Sequence, residues 1–185
     1  MSGLAAVFHR DGRPAAHAAV WAMLDAVSYR GPDGLHVHLA EAVGLGHAKL
    51  AVTAEEADEQ QPLVSPRTGC IVVADARLDN REELLAKLPD RPPTTASDAE
   101  LILRAYETWG ADAPVHLLGD FAFVLWDPRQ QRLVCARDTS AQRWLYYRVD
   151  HCTFAAATEI HQLLQDPASP WLNLDFGSLS EESEA

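Results

Sequence analysis

Side chains able to do chemistry are sparse in this sequence, and most of them have a plainer reading. His36 and His38 stand two apart in a segment that alternates like a strand, so both point to one side and have the spacing to share a metal ion. A third ligand does not accompany them, and solvent-exposed strand histidines fit better. His47 follows Gly46 where the apolar pattern changes parity, and a structural hydrogen bond is expected there. Cys70, Cys135 and Cys152 are odd in number and far apart, each inside an apolar run. They read as buried free thiols of a reducing compartment, without the close spacing of a redox pair or a metal knuckle. No glycine-rich phosphate cradle is visible in the sequence. Asp127 and Asp138 each close an apolar run and are expected to bond to turn amides.

The elements that must hold these residues follow from composition and periodicity. Of 185 residues 48% are apolar and 23% charged, which excludes disorder and fibrous repeats and suits one ordinary globular domain. Fifteen basic against 27 acidic residues leave a net charge of −12, which repels phosphate backbones and argues against a nucleic-acid partner. No run approaches the roughly 18–20 apolar residues of a membrane span. His9, Arg10 and Asp11 interrupt the N-terminus before a signal pattern forms. With the free thiols, these features point to a cytoplasmic protein.

Residues 3–8 read as a strand, and Val20, Met23, Leu24 and Val27 mark an amphipathic helix over about 15–28. Strands are expected at about 35–40 and 43–52, the second with a bulge or turn at 46–49 because its apolar residues shift from odd to even positions. The polar stretch 54–69 reads as a long loop of the kind that often carries function. Residues 70–74 form a buried strand, and Asn80 caps a helix carrying Leu84, Leu85 and Leu88. Ser97-Asp98-Ala99-Glu100 is a capping box for a helix that Gly110 ends. Four further strands and a short helix to Leu164 follow, with Trp126, Trp144, Tyr146 and Tyr147 as core and sheet-face residues. Strands outnumber helices and do not alternate with them, so the fold class is α+β with largely antiparallel sheets.

Several short motifs in this order resemble one family. They are Gly3-Leu4-Ala5-Ala6-Val7-Phe8, Arg30-Gly31-Pro32-Asp33-Gly34, Gly44-Leu45-Gly46-His47, Gln61-Pro62 and Ser97-Asp98-Ala99-Glu100. Gly119-Asp120-Phe121-Ala122-Phe123-Val124-Leu125-Trp126-Asp127, Ala136-Arg137-Asp138 and Leu145-Tyr146-Tyr147 continue the pattern. Together they resemble the class II glutamine amidotransferase domain that opens asparagine synthetases, over about 2–165. The stretch from Ala74 to Arg81 is more like the homologues of natural-product pathways, β-lactam synthetases and lasso-peptide cyclases. The resemblance implies a four-layer αββα sandwich of the N-terminal-nucleophile hydrolase type. It also implies loss of Met1, attack by a residue-one cysteine on the glutamine amide, and the new α-amine as general base.

On that pattern the nucleophile position holds Ser2, a hydroxyl where a thiol is expected. The oxyanion positions hold Asp75 and Ala76 in place of Asn-Gly, so a group that only accepts hydrogen bonds replaces a donor. Lys49 replaces the arginine that binds the substrate carboxylate, offering a point charge without the bidentate fork. Asp98 matches the contact to the glutamine α-amino group, or serves only as an acid in the first turn of its helix. Three departures strike one reaction. The expectation is a glutaminase-silent domain over 1–165 with an acidic tail or linker stub over 166–185, serving as a structural or interaction module for a separate synthetase-domain protein. The alternative is an amidase, or a weak glutaminase, using Ser2. No cofactor is implied, and glutamine is a ligand only if the site works.

Overall fold

Strands buried on both faces dominate the architecture, because most of their residues are apolar at odd and even positions alike. A computed structural model of the protein describes residues 1–89, 91–165 and 175–178. The strands are β1 (Gly3–His9), β2 (Leu35–Ala40), β3 (Val43–Ala48), β4 (Leu63–Val64), β5 (Ile71–Leu78), β6 (Gly119–Asp127), β7 (Arg132–Arg137), β8 (Tyr146–Val149), β9 (Thr153–Ala157) and β10 (Asp175–Ser178). The helices are α1 (His17–Asp25), α2 (Ala54–Ala57), α3 (Arg81–Lys87), α4 (Asp98–Trp109) and α5 (Ile160–Leu163), with 3₁₀ turns at Ser28–Arg30 and Gly110–His116. One sheet has the order β10-β8-β9-β1-β3-β2 and the other β4-β5-β6-β7, with every pairing antiparallel.

The sheets stack face to face around Leu4, Ala6, Leu45, Ile71, Val73 and Val124. Helices α1 and α5 cover the outer face of the larger sheet, where Ala5, Val7, Val20, Leu24 and Leu163 cluster. Helices α3 and α4 cover the smaller sheet through Val72, Leu84, Leu101, Ile102 and Phe123. The result is the expected α+β sandwich of four layers, αββα. No helix among the described residues is long and apolar enough to cross a membrane.

Four local expectations need correction. Strand β3 keeps an unbroken register with β1 from Val43 to Ala48 and carries no bulge there. Its parity never switches: Val43 and Leu45 face the other sheet, while Gly44 and Gly46 lie under α1. A Cβ at Gly46 would come within 2.8 Å of Val20 Cγ1, so glycine fills a buried position that looked polar in the pattern. Asn80 does not cap α3 with its side chain. Its amide instead donates to the His116 carbonyl at 3.0 Å and accepts from Leu118 N–H at 3.0 Å, tying α3 to the start of β6. Trp144 is 49% exposed, unlike buried Trp126. Leu164 is also not the end of regular structure, since the strand Asp175–Ser178 pairs with β8. The remaining tail residues, Trp171, Leu172, Leu174 and Leu179 among them, lie outside the described residues.

Candidate active site

Alternation along three strands delivers the site. On β1 the residues Leu4 and Ala6 face the opposing sheet, so Ser2, two residues before Leu4, falls on that side. On β5 the same holds for Ile71 and Val73, and therefore for Asp75. On β3 it holds for Val43 and Leu45, and therefore for His47. All three reach one end of the inter-sheet layer, in a cleft of about 140 Å³ that Lys49, Glu59, Gln61, Ala76, Asp98 and Arg143 also line. The structure thus gathers every candidate residue, Ser2, Lys49, Asp75, Ala76 and Asp98, around one opening.

Ser2 is buried, and its N–H donates to Asp75 Oδ1 at 3.1 Å. Its hydroxyl oxygen accepts from Leu50 N–H at 3.2 Å. Asp75 is 7% exposed; its other oxygen, Oδ2, lies 3.5 Å from Arg143 Nη1. Burial pushes the Asp75 carboxyl above the usual aspartate range, while Arg143 and the Ser2 N–H pull it back. Ala76 continues the strand and sits against the α3–α4 core. It is not among the described residues with positive φ, so the backbone here does not require glycine.

The other two expected residues are already engaged. Lys49 Nζ donates to the Ala57 carbonyl at 2.8 Å and the Glu59 carbonyl at 2.7 Å, which pins the loop after β3. Asp98, the first residue of α4, accepts from Leu78 N–H at 2.8 Å and from Arg81. Burial raises its carboxyl above the usual range despite those donors. The Asp33 carboxylate of the Arg-Gly-Pro-Asp turn accepts from Ala51 N–H at 2.9 Å and so supports the segment beside Ser2. Asp127 and Asp138 bond to turn amides as expected.

Among the other lining residues, sequence reasoning did not assign Arg143, Gln61, Glu59 or His47 to the site. Arg143 is placed by Asp138, whose carboxylate accepts the Gln142 and Arg143 N–H groups at 3.0 and 3.1 Å. Gln61 bridges the loop to β5, donating to the Ala74 carbonyl at 3.2 Å and accepting from Ala74 N–H at 2.6 Å. Burial pushes the Glu59 carboxyl up to about 7. That carboxyl accepts from Ser97 Oγ and from Gln61 Nε2, which joins the loop to the cap of α4. His47 is 4% exposed, and neither ring nitrogen has a hydrogen-bond partner, contrary to the expected structural bond. Burial lowers it to about 3, so the ring is neutral at physiological pH. His36 lies opposite His47 across the β2–β3 pairing and, like His38, is half-buried rather than exposed. Among the described residues no group of three His, Cys, Asp or Glu side chains could hold a metal ion, and the three cysteines are free.

A family model described as a glutamine amidotransferase domain matches residues 1–180. The chain belongs to the glutamine amidotransferase domain family. Relatives of this amidotransferase domain include amidase chry2 of Gibberella zeae, 35% identical over 76% of this chain and 22% of that protein. Asparagine synthetase [glutamine-hydrolyzing] 2 of Bacillus subtilis is 30% identical over 80% of this chain and 20% of its own length. The domain therefore spans about a fifth of the length of these relatives. Among solved structures, the glutamine phosphoribosylpyrophosphate amidotransferase from B. subtilis superposes with a TM-score of 0.72 at 14% identity, over 97% of this chain and 50% of that one. That likeness concerns the fold. It agrees with the four-layer αββα sandwich built above.

Proposed function

We propose that this glutamine amidotransferase-like domain has lost glutaminase activity and serves as a structural or interaction module for an ATP-dependent amide-forming synthetase. The observation that carries the reading is the Asp75 carboxylate, hydrogen-bonded to residue 2 at 3.1 Å on the strand where the family resemblance implies an amide donor. A carboxylate cannot donate to a developing oxyanion, and removing one such donor costs on the order of 2.7–4 kcal/mol in the transition state. Ser2 adds a hydroxyl that needs a stronger base than a thiol would. Lys49, committed to two loop carbonyls, has one N–H left for a substrate carboxylate.

The synthetase would be a separate chain or the rest of a longer protein, since the relatives carry several times this length. The free thiols suit a cytoplasmic setting. Ammonia release from glutamine, measured on chain whose intact mass shows Ser2 first, tests the loss of activity. Release at the buffer blank is expected, and sustained turnover above it sinks the proposal. Turnover of another amide in the same assay would instead favour a serine amidase, a reading that draws on the relatives named amidases.

A further inference from the structure

We propose that, in a chain beginning at Ser2, Asp75 holds the Ser2 α-ammonium as a buried ion pair, so that residue 2 carries a proton where an N-terminal nucleophile needs a free base. This deepens the proposed loss of activity and rests on it. The Ser2 nitrogen already donates to Asp75 Oδ1 at 3.1 Å through a single peptide N–H. With Met1 gone, that nitrogen becomes an ammonium with three donors beside a carboxylate whose second oxygen has no hydrogen bond among the described residues. The proton stays on nitrogen, and no bond forms or breaks.

The surrounding charges set the sign. Asp75, on β5, is the group that touches the nitrogen. Arg143 reaches the far carboxylate oxygen at 3.5 Å; it pulls the Asp75 carboxyl down while opposing the ammonium from further away. Arg30, from the turn before β2, acts on Asp75 in the same sense. Lys49 is turned to the loop carbonyls and Glu59 to Ser97 and Gln61. The His47 ring is neutral. A carboxylate in direct contact outweighs cations behind it, because Coulomb attraction falls with distance.

The test is an NMR titration of the α-amine, on chain released from a fusion so that Ser2 is first and labelled at serine. The amine is expected to titrate at least about one unit above the ordinary α-amino value of roughly 7.7–8.0. Asp75→Asn should bring it down by about one unit or more. Arg143→Gln, which keeps the carboxylate and removes a competing cation, should raise it further. A wild-type amine titrating at or below the ordinary value overturns the ion pair, whether or not Asp75→Asn folds. The same sample given glutamine separates the two claims. Ammonia release together with a raised amine would refute the loss of activity alone, and an ordinary amine without ammonia would refute the ion pair alone.

Discussion

Half-buried Glu59 and buried His47 both line the cleft and are shifted in opposite directions. Glu59 sits near 7 against an ordinary 4.5, so the fold favours its protonated form. The penalty is absent below about 4.5 and accumulates as pH rises to about 7. We expect Glu59→Gln to gain about 1–2 kcal/mol of stability relative to wild type between pH 5 and 7.5, read from denaturant melts at each pH. His47, lowered to about 3, stabilises the fold above its unfolded value of 6.5 and loses that contribution as pH falls. His47→Gln should therefore improve relative to wild type by about 2 kcal/mol between pH 6.5 and 4.5. Parallel pH profiles for variant and wild type would refute either assignment. At this scale the family motifs located Ser2, Asp75, Ala76, Lys49 and Asp98. Arg143 and Glu59 stayed hidden because an arginine in a turn and a glutamate in an acidic loop look like solvated surface until the fold closes over them.

Elements were legible where their period was regular. Helix α4 is capped by Ser97, whose hydroxyl accepts from Glu100 N–H at 3.1 Å, and by Gly110 at its other end with φ 61°. Glycine in strands was the blind spot. Gly46 reads as a break, yet it lets α1 approach β3. We expect Gly46→Val to destabilise the domain by about 1–3 kcal/mol through overpacking against Val20 and Leu24, seen as a lowered denaturation midpoint with unchanged slope. Gly119 is stricter still: with φ 139°, its Cβ would fall 2.1 Å from the Arg77 carbonyl oxygen. Asn80 shows the complementary case. Its position suited a cap, but two main-chain groups of the strand entry were unpaired without it, and the tertiary bonds took the side chain.

For the whole molecule, the proposal makes loss of activity a matter of a few side chains on an intact sandwich. Ser2→Cys combined with Asp75→Asn and Ala76→Gly should therefore release ammonia from glutamine at a rate about 10²-fold or more above wild type. A folded triple variant that stays at the wild-type level would remove Asp75 as the block and move attention to Lys49. The partner claim is checked by co-expression with an asparagine-synthetase-type domain. Co-elution is expected, and two separate peaks would refute it.

Chain order and composition alone determined the α+β class, the buried β1, β5 and β6 strands, the capped α4 helix and the family, since these depend on local period and short motifs. Only the tertiary structure decided that Ser2, His47 and Asp75 share one end of the inter-sheet layer, that Arg143 answers the Asp75 charge, and that Lys49 is spent on its own loop. Those facts depend on which strands lie opposite one another and on how much water is left between them, and neither quantity is written in residue spacing.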